Sequence, residues 1–454
     1  MDASEDTSTG IRTTRRRVLA VVTASMPAGL LAACAPRSTG DRVPDAPKTI
    51  PPATLQLWTI WGGARLGIMN EQLANFSRRF PGITVEHLYV TGDDLKPKVL
   101  TAMAGGTPPD VPTVGRQEIP MFVDRVAGLT PLDALMERDK VSKSAFYDGE
   151  INGCLYDGKT WALPFPTAGT EGLMFYNREW LTREGIDPDR TPPRTWDQLQ
   201  DIARRTTVIS GGKTVKLGIP MDIRGLNFWH WLGLAGGRLW SPDGRRMLLD
   251  RAEDTLQWMV EFRDKLNGGR DALQDFPPRA WRQFYDGNQA HVLATVGVWY
   301  EIRAEAPDVQ LGVYVRPARN DDGGKCIALE AWSYAIAKGS KSPEAAWALM
   351  RFLTVDKDGG GWFMNQQTRP SPVKEFNQNP ELRQRNPYWD VLVRSLDRSA
   401  PPGTFLPVHG ELVTVINENV TRLEQGQYSV RDTAAAMRQD GQRILDGFWA
   451  AKRK

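Results

Sequence analysis

The stretch TLQLWTIWGG at residues 54–63 decides the fold. Its leucines alternate with polar residues, which predicts a β-strand over 54–60, and Gly62-Gly63 then interrupts the pattern. Apolar residues at helical spacing follow over 73–80 (Leu73, Phe76 and Phe80), and Pro81-Gly82 ends that helix. The segment therefore predicts a strand, a turn and a helix in succession.

The next residues repeat this alternation. Ile83 and Val85 indicate a second strand, Leu95, Val99 and Met103 a second helix, and residues 111–114 a third strand. Strands that alternate with helices over short connections predict an α/β fold with a parallel, helix-covered sheet. Ligands of such sheets bind beyond the carboxyl ends of the strands, which here include Trp61-Gly62-Gly63 and Gly115-Arg116-Gln117.

Composition excludes several classes of protein. The 454 residues are 24% charged and 41% hydrophobic, so the chain is neither disordered nor collagen-like nor a coiled coil overall. The length predicts two or three domains. With 57 basic and 54 acidic residues, the chain lacks the basic face that nucleic acid requires. The unusual feature is the 16 tryptophans, against 15 phenylalanines and 10 tyrosines, which indicates either core packing or a site that stacks rings on a ligand.

The N-terminus is typical of an export signal. Thr14–Leu19 holds a twin-arginine pattern, and the apolar stretch 18–33 is short for a membrane span and ends in small residues. Leu31-Ala32-Ala33-Cys34 resembles a lipobox, whose cysteine is acylated in bacterial lipoproteins. We predict a signal peptide at 1–33, with export by either the Tat or the Sec route.

Residues 34–52 are rich in proline and small polar residues, so we predict a lipidated, flexible tether that starts at Cys34. The protein would then be exported and anchored by its lipid to the cell membrane, facing the periplasm or the outer surface. Two cysteines remain, Cys154 and Cys326, and an oxidising compartment allows them to form a disulfide or to stay as thiols. They form no metal or redox motif, and the four histidines have no zinc-type spacing.

A second block starts near a predicted buried strand at Leu173–Tyr176. Thr195 and Gln198 form a capping box at a helix start. Ser342, followed by Pro343 and Glu344, predicts another helix N-terminus. Further helices are predicted at about 252–266, 279–286, 343–353 and 431–447.

Six motifs in order resemble those of the extracellular solute-binding proteins of ABC transporters, family 1. The group includes maltose-type and glycerol-3-phosphate-type binders. The sequence departs from the family pattern at His291, where the motif usually has Met. The matching segments are Ala104–Val111, Asp157–Pro164, Phe175–Arg178, Pro193–Leu199, Phe284–Trp299 and Ser342–Trp347.

The resemblance implies a fold of the periplasmic-binding-protein type, with two α/β lobes joined by a hinge and the ligand cleft between them. Carried over, it assigns 53–168 and 290–330 to lobe 1, and 169–289 and 331–454 to lobe 2. It also implies a monomer that needs no cofactor or metal, binds a small carbohydrate and works with the permease subunits of an ABC transporter.

Sugar sites combine flat aromatic rings with planar polar groups that bind hydroxyls. Four tryptophans are the first candidates for stacking because of their places at strand ends, turns and lobe crossovers; two more rank behind them. The first group is Trp61, Trp229, Trp299 and Trp332, and the second is Trp58 and Trp240. Core packing is the alternative for each.

The polar candidates are Asp222, Glu171, Gln117 and Arg369, with simple solvation as the alternative. Arg65 and Arg116 are instead candidates to bind an anionic group through bidentate hydrogen bonds. These two arginines are the one indication of a phosphodiester ligand in the sequence. For six other tryptophans, core packing is the better explanation: Trp161, Trp180, Trp196, Trp258, Trp347 and Trp449.

Three classes of function compete. The first is a binding protein of an ABC importer for a mono- or oligosaccharide, or alternatively for a glycerol-phosphate or glycerophosphodiester ligand. The second is an exported glycoside hydrolase, for which no acid and nucleophile motif is recognisable. The third is an adhesion or scaffolding lipoprotein, since fold alone does not define function. The motifs favour a binding protein without enzyme activity.

Overall fold

The structure is a computed structural model that describes residues 49–453, except 166–171, 225–226, 277–280, 322–323, 328–330 and 402. The predicted signal peptide, Cys34 and most of the tether lie outside the described residues, as does Glu171. No helix in the described part of the chain is long and apolar enough to cross a membrane.

The described strands and helices follow the predicted alternation. The strands are β1 Ala53–Thr59, β2 Ile83–Tyr89, β3 Val111–Gly115, β4 Leu155–Tyr156, β5 Lys159–Thr160, β6 Ala162–Pro164, β7 Leu173–Asn177, β8 Val208–Ser210, β9 Lys213–Lys216, β10 His291–Ala294, β11 Leu311–Val315, β12 Cys326–Ile327, β13 Trp332–Ala335 and β14 Ser399–Ala400. The helices are α1 Leu66–Arg79, α2 Gly92–Ala104, α3 Ile119–Asp124, α4 Asp133–Arg138, α5 Asp148–Ile151, α6 Arg178–Arg183, α7 Trp196–Thr206, α8 Asn227–Leu234, α9 Ala252–Leu266, α10 Ala272–Asp275, α11 Trp281–Tyr285, α12 Val298–Glu305, α13 Pro343–Thr354, α14 Trp362–Gln366, α15 Pro380–Arg385, α16 Trp389–Ser395, α17 His409–Glu424 and α18 Val430–Lys452.

The first lobe is built on a five-stranded sheet in the order β2–β1–β3–β13–β6. β1 is parallel to both β2 and β3, as the alternation of strands and helices predicts. β13 is antiparallel to β3 and β6. All five residues of β3 are buried, because helices and neighbouring strands cover this strand on every side.

The second lobe has a three-stranded antiparallel sheet in the order β10–β7–β11. Successive residues of β7 point to opposite faces: Met174 and Tyr176 join a large core with α8, α9, α17 and α18. Leu173 and Phe175 join a smaller core with α12 and α16. The period of two residues in a strand thus produces two cores from one buried apolar run.

The predicted division of the lobes is wrong in its later segments. β10 and β11 lie within 290–330, which was assigned to lobe 1, yet both pair with β7 of the second lobe. β13 and α13, assigned to lobe 2, belong to the first core. Among the described residues, the core that the chain belongs to changes three times: between Phe165 and Leu173, between Ile327 and Trp332, and between Val373 and Tyr388. Short apolar strands carry no local signal of which distant strand they pair with.

The sequence left open whether Cys154 and Cys326 form a disulfide, and the structure does not join them to each other. Cys154 is buried in the core of the first lobe and Cys326 in that of the second. Burial raises the pKa of the Cys154 thiol to about 12, so this thiol is protonated and unreactive at neutral pH.

Local signals were more reliable than pairing. Helices α9, α11, α13 and α18 lie where they were predicted. The Thr195 hydroxyl accepts a hydrogen bond from the Gln198 amide at 3.4 Å, and Gln198 Oε1 accepts one from the Arg194 amide at 2.7 Å. Ser342 occupies the predicted N-cap position of α13 but makes no capping hydrogen bond.

We expect Trp299→Ala to lower the free energy of unfolding by about 3–5 kcal/mol, as large-to-small changes in aromatic cores do. Trp299 is 7% exposed and packs edge-on against Tyr388, with ring centroids 5.7 Å apart. Urea denaturation measures the change. Trp161 is half-buried, so Trp161→Ala is a matched control with a smaller expected loss. An equal or smaller loss for Trp299→Ala would contradict this packing.

Acid is expected to destabilise the protein through His291. Burial lowers the pKa of His291 to about 4, and its Nδ1 lies 3.0 Å from the Gly218 carbonyl oxygen. The unfolded chain, in which the pKa of histidine is about 6.5, binds more protons in this window. The stabilisation is therefore complete above pH 6.5 and is lost as the pH falls towards 4.

His291→Asn preserves a donor for the Gly218 carbonyl but does not titrate. We expect its free energy of unfolding to fall less than that of the wild type between pH 7 and pH 4. Denaturant titrations at each pH test this, and parallel curves for the two proteins would show that His291 does not contribute to acid sensitivity.

Candidate functional site

A cleft of about 710 Å³ lies between the first lobe and helix α17 of the second. The first lobe contributes the turn after β3 and the side of α2. The second contributes the first turns of α17 and the residues just before it. Charged and polar side chains that line it are Lys96, Gln117, Glu118, Arg125, His409, Glu411 and Glu418.

Gln117 lies in this cleft because β3 ends at Gly115 and a 3-10 turn, Arg116–Glu118, follows it. Its amide packs over Gly115, where an added Cβ would lie only 2.8 Å from Gln117 Nε2. Gln117 Oε1 is buried and has no hydrogen-bond partner among the described residues. Gln117 thus lies beyond the carboxyl end of β3 and lines the cleft, and its contact with a ligand stays a prediction.

Glu118 and Lys96 form an ion pair across the cleft wall, with Nζ 3.4 Å from Oε1. Burial raises the pKa of Glu118, and the positive charge of Lys96 opposes that shift. Arg125 of the first lobe pairs with Glu411 of α17 at 2.8 Å, so one ion pair joins the two lobes directly at the cleft.

His409 is the first residue of α17 and is only 5% exposed. Its ring lies edge-on between Trp240 at 5.9 Å and Phe405 at 5.3 Å. Burial, with a smaller contribution from Lys96, lowers the pKa of His409 to about 3, so the imidazole is neutral at physiological pH. His409 Nδ1 has no hydrogen-bond partner in the described part of the chain.

Trp240 supports this histidine rather than a ligand. It is buried, and its Nε1 donates to the Thr404 carbonyl at 3.0 Å. A stacking platform must present a ring face, so the structure corrects the prediction for Trp240 to core packing.

Trp61 also packs in a core, contrary to prediction. It is 1% exposed, lies against Phe165 and Phe363, and its Nε1 donates to the Tyr334 hydroxyl at 3.2 Å. The guanidinium groups of Arg65 and Arg369 lie 5.3 and 5.9 Å from its ring centroid. Trp61 therefore holds two cations at the carboxyl edge of the sheet.

Those cations lie next to the N-terminus of α12. Arg65 Nη2 donates to the Gly297 carbonyl at 3.1 Å and pairs with Glu301 Oε1 at 2.5 Å. Arg369 occupies the space above Gly297, where an added Cβ would be 3.0 Å from its Cζ. Burial, and then repulsion by Arg65, lowers the pKa of Arg369 to about 9. This is a second place where the lobes touch.

Two predicted tryptophans stay partly exposed. Trp332 pairs with Gly115 across β13 and β3, and its ring lies 3.3 Å from where a Cβ on Gly92 would be. Trp332 is thus close in the fold to Gln117. Trp58 is half-buried on β1, with Lys98 Nζ 5.4 Å from its ring centroid.

The remaining predicted residues lie elsewhere. Trp229 is 0% exposed in the second-lobe core, and Trp299 packs on Tyr388, so burial corrects both to packing. Asp222 accepts three hydrogen bonds from Arg224. Arg116 and Glu150 form a buried ion pair at 2.6 Å. Of the six tryptophans predicted to pack in cores, Trp180, Trp196 and Trp347 are buried in a core. The other three are partly buried and pack against a core: Trp161, Trp258 and Trp449.

Lys96, Glu118 and His409 line the cleft but were not predicted from the sequence, and neither was the exposed ring of Tyr89. Tyr89 ends β2, is 46% exposed, and covers Gly62, where an added Cβ would be 2.5 Å from its ring. Its position at the carboxyl end of a parallel strand was a usable signal. His409 had none, because its place in the cleft depends on how α17 docks. No group of three or more acidic, His or Cys side chains within the described residues is arranged to hold a metal.

The chain is similar in sequence to two bacterial binding proteins and in fold to a solved solute-binding protein. A protein of Brucella abortus (strain 2308) named as a binding protein is 24% identical over 61% of this chain; the match spans 66% of its length, just under two thirds. The diacetylchitobiose binding protein of Streptomyces coelicolor is 22% identical over 71% of this chain and 73% of its own. The solute-binding protein of Thermotoga lettingae bound to α-D-tagatose has the same fold, with a TM-score of 0.70 at 20% identity over 87% of this chain and all of that one.

The family described as bacterial extracellular solute-binding protein matches residues 64–359. That match covers most of both lobes, and the fold of the structural relative confirms the predicted periplasmic-binding-protein architecture. The chain belongs to the bacterial extracellular solute-binding protein family.

Proposed function

We propose that this protein is the lipid-anchored, substrate-binding component of an ABC importer, which captures a mono- or oligosaccharide by hinge closure and delivers it to the permease. The observation that carries the proposal is the cleft of about 710 Å³ between the lobes, lined by polar side chains from both. A cleft of this size suits a small ligand. Groups from both lobes can contact a ligand together only when the lobes are close.

Closure needs differential affinity, because a ligand shifts a conformational equilibrium only by binding one state more tightly. The ion pairs Arg125–Glu411 and Arg65–Glu301 join the lobes in this structure. Both are partly exposed, so each contributes little by itself. The ligand would supply most of the free energy that favours the closed state.

The charges of the cleft favour a neutral ligand. Its lining has three carboxylates (Glu118, Glu411 and Glu418) and two cations (Lys96 and Arg125). His409 adds no charge because of its low pKa. An anionic ligand would meet a slightly negative surface, while hydroxyl groups find acceptors there.

The named relatives support the same ligand class. They include binding proteins for diacetylchitobiose and for arabinooligosaccharide, and a solved structure with maltose bound. One relative is instead named as a binding protein for sn-glycerol-3-phosphate. That alternative requires cations for the phosphate, but Arg65 and Arg116 are already paired with Glu301 and Glu150.

We expect at least one neutral saccharide to raise the melting temperature of the full-length chain in a saturable way. The panel is N,N′-diacetylchitobiose, maltotriose, mannobiose, arabinobiose and α-D-tagatose, with sn-glycerol-3-phosphate as the charged comparison. Thermal unfolding and tryptophan emission measure binding, since binding to the folded state alone stabilises it.

Chromatography of each incubated sugar tests for hydrolysis. A shift without product supports a binding protein. Product formation would establish the hydrolase alternative, and a shift with sn-glycerol-3-phosphate alone would establish the phosphate binder. If no compound of the panel changes the melting temperature or the tryptophan emission, the result would favour the scaffolding alternative.

Cys34→Ser is expected to move the protein from the membrane fraction to the soluble fraction, because a Ser at the lipobox position cannot form the thioether to the lipid. Fractionation of expressing cells followed by immunoblotting measures the change. Cys154→Ala is the matched control and should stay with the membrane, since Cys154 is a buried core residue. Unchanged membrane association of Cys34→Ser would contradict lipid anchoring.

A further inference from the structure

The cleft contains two buried polar atoms without partners among the described residues, and each comes from a different lobe. Gln117 Oε1 belongs to the turn after β3, and His409 Nδ1 to the first residue of α17. Both residues line the same cavity. A buried polar atom without a hydrogen bond costs roughly 1–3 kcal/mol, so such atoms need an explanation.

Both atoms lack a hydrogen-bond partner although their side chains are packed against neighbouring groups. The His409 ring packs edge-on against Trp240 and Phe405, and the Gln117 amide lies against Gly115. Side chains that are packed in this way lose less conformational entropy when they bind a ligand. The surrounding packing therefore holds two polar groups in place without pairing them.

We propose that Gln117 and His409 are a specificity-determining pair that binds hydroxyl groups of one ligand from opposite lobes, and so couples ligand binding to closure. The inference rests on the proposed function and names two residues that would bind the ligand. Gln117 Oε1 is an acceptor and needs a hydrogen-bond donor from the ligand, such as the O–H of a hydroxyl group. A fully ionised phosphate group has acceptors alone and leaves this atom unpaired.

His409 suits this role at neutral pH because its imidazole is uncharged: burial lowers its pKa to about 3. A neutral imidazole has one donor and one acceptor nitrogen. It can therefore bind a hydroxyl in either direction, whereas an imidazolium could only donate. The same feature makes the contact independent of pH between about 5 and 8.

The test compares His409→Phe and Gln117→Leu with the wild type, using the full-length chain and whichever saccharide of the panel binds the wild type most tightly. We expect each variant to bind about 10- to 100-fold more weakly, because the ligand hydroxyl loses its partner in a buried site. Small-angle scattering at saturating ligand should show a smaller contraction in both variants. Gln257 is an exposed glutamine, and Gln257→Leu is the matched control, with unchanged binding.

Melting temperatures without ligand distinguish this role from a structural one. Removing an unpaired buried polar atom should leave the melting temperature of the apo protein unchanged or raise it. His409→Asn, which places a polar atom near the position of Nδ1, should recover part of the affinity lost in His409→Phe.

Three results would overturn the inference. Binding by both variants within about twofold of the wild type, where the wild type does bind, would overturn the pair and leave the proposed function intact. A fall of more than about 5 °C in the apo melting temperature of His409→Phe would show a structural histidine. If the wild type binds no member of the panel, the proposed carbohydrate function fails, and this inference fails with it.

Discussion

The antiparallel pairing of β13 with β3 is the constraint on which the rest of the structure depends. All of β3 is buried, so the backbone groups on both of its edges must be paired within the protein. β1 pairs with one edge, and β13, some two hundred residues later in the chain, pairs with the other. The pairing continues beyond the strand, since the Arg116 amide donates to the Ala331 carbonyl at 2.7 Å.

This pairing explains why the lobes are discontinuous and where the cleft lies. β13 comes after most of the second lobe in the chain, so the chain must cross between the cores to reach the first sheet. After Val373 the chain crosses back to the second lobe. The crossing brings Trp332 opposite Gly115, at the carboxyl end of β3. The next turn holds Gln117, which lines the same cleft as His409, the first residue of α17. The β3–β13 pairing, the chain crossing and the polar residue Gln117 of the cleft thus lie at one edge of the sheet.

The tryptophans show how far a composition argument extends. The number of tryptophans indicated either core packing or ring stacking on a ligand. Positions at strand ends, turns and lobe crossovers then selected the candidates for stacking. The structure buries Trp61, Trp229, Trp240 and Trp299, whereas Trp332 and Trp58 keep part of their surface exposed. Burial depends on which elements dock on a side chain, and a strand-end position does not encode that. Tyr89, which no aromatic cluster marked, is the ring with the most open face at this edge.

The sequence by itself determined the features that depend on neighbours within a few residues. These are the alternation of strands and helices over 53–115, the capping box at Thr195, the bounds of α9 and α13, and the motifs that identified the family. The tertiary structure alone decided that β10 and β11 pair with β7, that Cys154 and Cys326 lie in different cores, and that His409 and Gln117 line one cleft. Periodicity and capping are properties of the local backbone, whereas strand partners and cleft walls depend on contacts between residues far apart in the chain, which no local pattern specifies.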